Sequence, residues 1–142
     1  MTLLYLDSNA LAKLYLDEKT GKDVVLELVE EYGDVACCAI GYAEVGATIA
    51  RYFHEGKLDE VAYAEAMRFF SADWQTVRIQ QVTPELLHVA AMLAKVYKGL
   101  RAMDALHLAA ALALRQSVSL RFVTFDARLE AAAQKLMPEA VA

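Results

Sequence analysis

Leu3-Leu4-Tyr5-Leu6-Asp7-Ser8-Asn9-Ala10-Leu11 decides the fold class. Four consecutive apolar residues suit a short strand covered on both faces. Asp7, Ser8 and Asn9 are residue types that cap helices, and helical spacing follows through Leu11, Leu14 and Tyr15. This strand-then-helix unit recurs along the chain. Lys22 to Tyr32 is amphipathic and stops at Gly33. Val35 to Ile40 is short, apolar and β-compatible, and Gly41 opens a helix from about Tyr42 to His54. Leu58 to Phe70 has helical spacing, whereas Val77-Arg78-Ile79 alternates as a strand does. Thr83-Pro84-Glu85 starts a helix that runs to Tyr97, with a capping hydroxyl, a proline at the first helical position and an acid in the first turn. An alanine-rich helix from about Met103 to Gln116, a strand Arg121–Phe125 and a helix Ala127–Leu136 complete the order.

Short apolar strands alternating with longer helices predict βαβ crossovers, hence a three-layer α/β/α fold with a mainly parallel sheet of four or five strands. A length of 142 residues predicts a single domain over 1–142, and 58% hydrophobic against 23% charged residues excludes a disordered chain. The net charge of −5 argues against a simple basic coat for nucleic acid, although bound cations could reverse the potential around clustered carboxylates. Cys37 and Cys38 are adjacent, so on a strand they face opposite ways and form neither a bridge nor a metal pair. They read as small buried hydrophobes in a reducing compartment. The amino end lacks a basic, apolar signal segment, and the longest uncharged tract, Ala105 to Leu114, is too short to span a bilayer, so a cytoplasmic protein is expected. His54, His88 and His107 show no ligand spacing and read as packing or surface residues. Trp74 and the Tyr and Phe residues read as core or dimer contacts.

In an open parallel sheet, ligands bind beyond the carboxyl ends of the strands, which is where Asp7 and Asp126 fall. Each also reads as an N-cap of the helix that follows it. Asp104 sits in a first helical turn among Leu100, Met103, Leu106 and Leu108. There it either complements the helix dipole or serves a site. Glu44 lies in Gly41-Tyr42-Ala43-Glu44-Val45, and could equally belong to a solvated stripe with Thr48, Arg51 and Glu55.

Taken together, these acids match a known pattern. Leu4-Tyr5-Leu6-Asp7-Ser8-Asn9-Ala10-Leu11, Tyr42-Ala43-Glu44-Val45, Leu100-Arg101-Ala102-Met103-Asp104-Ala105-Leu106-His107-Leu108-Ala109-Ala110 and Phe122-Val123-Thr124-Phe125-Asp126-Ala127-Arg128-Leu129 occur in that order. The chain resembles a PIN-domain ribonuclease, in particular a VapC-type toxin of bacterial or archaeal toxin–antitoxin pairs, over essentially its whole length. The resemblance implies a PIN-like fold and an endoribonuclease in which Asp7, Glu44, Asp104 and Asp126 hold one or two Mg²⁺ or Mn²⁺ ions. It assigns Ser8 and Thr124 to orienting carboxylates or waters, and implies products with a 5′-phosphate and a 3′-hydroxyl. It also implies an antitoxin that covers the acidic site and a homodimer formed through helices.

The chemistry is independently reasonable. Two carboxylates about 4 Å apart repel by about 4 kcal/mol at an effective dielectric near 20, a cost that a divalent cation removes. Paired ions could stabilise the attacking and leaving oxygens of a phosphodiester displacement. Lys13, Arg101 and Arg128 lie within a turn or two of these acids and could guide phosphates. A receiver domain or a haloacid-dehalogenase-like phosphatase is disfavoured, because Ser8 and Asn9 follow Asp7 where those sites need a further acid. A non-toxin PIN-domain RNA-processing nuclease and a non-catalytic binding module, whose carboxylates only cap helices, are the alternatives. The apolar faces between Leu58 and Trp74 suit either a core or a partner contact.

Overall fold

The computed structural model describes residues 1–17 and 20–141. Its centre is strand β1 (Thr2–Leu6), in which Leu3, Leu4, Tyr5 and Leu6 are fully buried. Because side chains alternate along a strand, Leu3 and Tyr5 enter one apolar layer while Leu4 and Leu6 enter the other. The remaining strands are β2 (Val35–Cys38), β3 (Arg78–Gln80) and β4 (Ser119–Val123). All pairings are parallel and the order is β3-β2-β1-β4, so the sheet has four strands of the expected kind. Cys38 lies in the layer of Tyr5 and Cys37 in the layer of Leu4, on opposite faces as neighbours on a strand must be. Neither forms a disulfide.

Helices fill the two outer layers. On the Leu4 side lie α1 (Ser8–Ala12), α2 (Lys22–Tyr32), α3 (Gly41–His54) and α4 (Glu60–Trp74), contributing Leu11, Val25, Val45, Ile49 and Phe70. On the Tyr5 side lie α5 (Pro84–Val96), α6 (Ala102–Arg115), α7 (Ala127–Leu136) and α8 (Pro138–Val141). Ala105, Ala109, Ala110 and Ala111 of α6 are buried, and these small side chains let its backbone lie close against the sheet. Thr83 caps α5 through its side-chain bond to the Leu86 N–H, and Asp59 caps α4 by accepting from the Ala62 N–H. Trp74 packs with Phe70 and Tyr42, in keeping with an internal role. None of the helices among the described residues is long and apolar enough to cross a membrane.

Several boundaries differ from the sequence expectation for local reasons. The helix after β1 is brief: the Leu14 N–H bonds to Leu11 and the Tyr15 N–H to Ala12, three-residue spacings that tighten the chain into a turn. Helix α4 starts at Glu60, after its Asp59 cap, and continues to Trp74. Strand β4 ends at Val123 instead of Phe125, because Asp7 donates its N–H to the Val123 carbonyl while Thr124 accepts from the Asp126 N–H and turns the backbone out of the sheet. The short α8, which buries Ala140, has no signal that the periodicity revealed.

Strand β2 meets α3 at a tight approach. A Cβ at Gly41 would stand 2.5 Å from Cys37 Sγ and 3.6 Å from the Trp74 ring. Gly41→Ala is therefore expected to destabilise the protein by about 1–3 kcal/mol through overpacking. Combining it with Cys37→Ala should recover most of the loss, and equal melting temperatures for Gly41→Ala and wild type would show that the contact does not constrain the fold.

Candidate active site

The chain lays down β1, β2 and β3 in one direction, then returns to place β4 on the other side of β1. Parallel sheets open a ligand crevice at such a reversal, beyond the carboxyl ends of the two strands. Asp7 follows β1 directly, and Asp126 follows β4 after a two-residue turn. One hydroxyl joins them: Thr124 donates to Asp7 Oδ2 at 2.5 Å, and Thr124 Oγ1 accepts the Asp126 N–H at 3.1 Å.

The first turn of α3 brings Glu44 to this edge. Ser8 Oγ donates to Glu44 Oε1, and His107 Nε2 lies 2.7 Å from the same oxygen and 2.8 Å from Ser8 Oγ. Asp104 stands one turn before His107 on α6, and its Oδ2 accepts the Arg101 N–H at 3.2 Å. Asp104 and Asp126 then line one cleft of about 440 Å³ together with Asn9, Arg101 and Arg128. Two arginines therefore flank two acids, which places positive charge at the edge of an otherwise acidic protein. Lys13 does not line this cleft. Its ammonium sits 4.7 Å from the centre of the Phe125 ring, beside the Thr124–Asp126 turn, and donates to the Thr20 carbonyl.

Asp7 and Asp126 do cap helices, as one reading of each predicts. Asp7 Oδ1 accepts the Ala10 N–H, and Asp126 Oδ1 accepts the Arg128 and Leu129 N–H groups. Capping does not exclude a second role, because a carboxylate has two oxygens. Among the described residues, Glu44 Oε2, Asp104 Oδ1 and Asp126 Oδ2 have no hydrogen-bond partner, while the other oxygen of each is held. Asp7 differs, with both oxygens engaged.

Electrostatics distinguishes the two inner acids. Burial raises the Asp7 carboxyl above the usual range against the pull of the Thr124 and Ala10 bonds, and the nearby Glu44 charge adds to the rise. Burial also works to raise Glu44, but the hydrogen bonds from His107 and Ser8 outweigh it and hold that carboxyl below the usual range. One carboxylate is thus kept charged beside another that resists charging.

The donor set consists of carboxylate oxygens, which suit hard cations such as Mg²⁺ and Mn²⁺. No three His, Cys, Asp or Glu side chains among the described residues are close enough to form a ready-made cage. Mg²⁺ does not require one, since it keeps several waters and is commonly held by one or two carboxylates with substrate phosphates completing its shell. The open oxygens fit that mode of binding.

His54 and His88 are exposed, as expected of surface histidines. His107 is packed inside, at 3% exposed, and beyond packing both ring nitrogens have polar partners, Tyr5 at Nδ1 and the Ser8–Glu44 pair at Nε2. Spacing among the histidines could not reveal this. The available signal was its position one helical turn after Asp104.

A pH dependence follows from Asp7. Between its ordinary value and the raised one, the folded protein keeps a proton that the unfolded chain releases, so the stability due to Asp7 is full in acid and lost as pH rises through that window. Glu44 acts oppositely, its contribution being present above the ordinary value and lost in acid. Asp7→Asn keeps a capping group. In EDTA it should melt at or above the wild-type temperature at neutral pH, with the difference closing in acid. A clearly lower melting temperature at neutral pH would make the Asp7 charge a net stabiliser.

Comparison with known proteins agrees with this architecture. The PIN domain matches residues 4–135. Ribonuclease VapC45 and Ribonuclease VapC49 of Mycobacterium tuberculosis are each 32% identical over 114 residues, covering 80% of this chain and 78% of theirs. Ribonuclease VapC47 of the same species is 28% identical over 130 residues, covering 89% of this chain and 87% of its own. A solved toxin–antitoxin complex from Klebsiella pneumoniae shares the fold with a TM-score of 0.64 at 20% identity, over 89% of this chain and 87% of that one. A family match running through the central strand and all four acids places the chain in the PIN-domain family, as a homologue of the VapC-type proteins.

Proposed function

We propose that the chain is an Mg²⁺- or Mn²⁺-dependent endoribonuclease acting on single-stranded or loop RNA, as the toxin of a type II toxin–antitoxin pair, with residues 1–142 forming one nuclease domain. The observation that carries this reading is the division of labour within the carboxylates. Glu44, Asp104 and Asp126 each commit one oxygen to the fold and leave the other without a partner among the described residues, at the strand-order reversal where parallel sheets bind ligands. A surface cap exposed to water needs no such gathering at one edge.

In this reading Asp7, Glu44, Asp104 and Asp126 hold one or two ions. A bound divalent ion would supply charge neutralisation and an activated water for phosphodiester hydrolysis. The chain itself supplies orientation. Thr124 fixes Asp7 relative to Asp126, and Ser8 fixes Glu44. Arg101 and Arg128 flank the cleft where they can pair with phosphate oxygens, and Lys13 extends the positive side past Phe125. The VapC names of the relatives and the toxin–antitoxin title of the structural neighbour support an antitoxin partner that shields this edge. Exposed Val61 and Phe69 on α4 offer apolar contacts for that partner or for a homodimer. Function in the cytoplasm is consistent with two unbridged cysteines.

The test is cleavage of RNA substrates containing unpaired loops. Wild type should require Mg²⁺ or Mn²⁺ and lose activity in EDTA. Asp104→Asn and Asp126→Asn should each lose roughly 100-fold or more in rate while melting within a few degrees of wild type. Undiminished cleavage in EDTA or by both variants would refute the reading. A binding module whose acids only cap helices would show neither cleavage nor stabilisation by Mn²⁺.

A further inference from the structure

The acids alone do not explain a buried polar chain that runs into Glu44 from the core. Tyr5 is fully buried on β1, and its ring stacks on Phe122 at 5.3 Å between centroids. Its hydroxyl accepts the Cys38 N–H at 3.1 Å and lies 2.7 Å from His107 Nδ1. His107 Nε2 in turn meets Glu44 Oε1 and Ser8 Oγ. Tyr5 and Phe122 would stack equally well if residue 5 were phenylalanine, so apolar packing leaves the hydroxyl unexplained.

The directions of these bonds follow from counting protons. With the Cys38 N–H already on the Tyr5 oxygen, the arrangement that gives every proton an acceptor points the Tyr5 O–H at Nδ1. The imidazole proton is then on Nε2 and aims at Glu44 Oε1. Every donor in the run Cys38 N–H, Tyr5 O–H, His107 Nε2–H has an acceptor. The other neutral tautomer would direct the Tyr5 and His107 protons at one another and set the Nε2 lone pair against the carboxylate.

We propose that His107, with its tautomer selected by Tyr5, is a positioning residue that locks the rotation of the Glu44 carboxylate, presenting Oε2 to the acidic edge and thereby setting the affinity for a divalent cation. The inference rests on Glu44 being a cation ligand, as in the functional reading above. Groups that orient a ligand in this way typically change metal affinity 10- to 100-fold when removed. The lock differs from Ser8, which reaches Glu44 from the short α1: it is anchored in the central strand, where Tyr5 cannot shift without moving the core.

Two substitutions of His107 separate positioning from packing. Gln places an amide N–H near the position of Nε2 and can still donate to Glu44, but gives up the Nδ1 acceptor. Asn retains a polar group near Nδ1 and cannot reach Glu44. Both reduce the ring to an amide; a packing role would follow side-chain volume and favour Gln over Asn as well, but it would leave Tyr5→Phe, whose ring still stacks on Phe122, at the wild-type affinity. Mn²⁺ dissociation constants are to be measured by electron paramagnetic resonance of the free ion, at one pH and a temperature where circular dichroism shows each variant folded. We expect His107→Gln to stay within about threefold of wild type and His107→Asn to lose roughly 10- to 100-fold. Tyr5→Phe, which leaves the tautomer unselected, should fall between them. Wild type binding Mn²⁺ while the Gln and Asn variants bind it equally, or while Tyr5→Phe binds it as tightly as wild type, would overturn the positioning role alone. Failure of wild type to bind Mn²⁺ would overturn the functional reading, and this inference with it.

Discussion

The burial of β1 on both faces is the constraint from which the rest follows. Its four central side chains have no exposure to solvent, so the strand is stable only with helices on either side and a parallel neighbour along each edge. Both neighbours are present, and they place the carboxyl end of β1 beside that of β4. The first polar residues after the strand, Asp7 and Ser8, therefore emerge at that edge and remain about as buried as the core itself. A buried carboxylate needs hydrogen bonds, and those from Thr124 and Ala10 answer that need while fixing β4 and α1 to the same point.

Acids gathered at one edge repel one another, and the fold limits the repulsion by unequal treatment. Asp7 is desolvated and its ionisation is disfavoured. Glu44 receives two donors and stays charged. Asp104 and Asp126 are only partly buried and line a cleft with Arg101 and Arg128. A divalent ion would favour the fully charged set, so binding it and deprotonating Asp7 are coupled in the proposed function.

Helix capping and cation binding, competing explanations when each acid is taken singly, turn out to be compatible. The geometry that lets Asp126 bond two N–H groups uses only Oδ1, and the capping bond of Asp104 uses only Oδ2. In the proposed function capping would serve the site, because a carboxylate with one oxygen held has already lost the rotational freedom that binding would otherwise remove. In the proposed function the net negative charge would likewise be offset locally, since Arg101 and Arg128 line the cleft.

Much of this was legible in the sequence because it depends on neighbours in the chain. Apolar runs set the strands, 3.6-residue spacing set the helices, and Asp7, Thr83 and Asp126 marked helix starts by chemistry that acts over three residues. The order of the four acid motifs named the family that the comparisons support. What the tertiary structure alone decided are bonds between distant positions: Thr124 to Asp7, 117 residues apart, and Tyr5 to His107, 102 apart. No local pattern records which oxygen of a carboxylate is held or which nitrogen of an imidazole carries the proton. Those depend on where separate elements bring their donors, and that is settled only when the sheet has been covered on both faces.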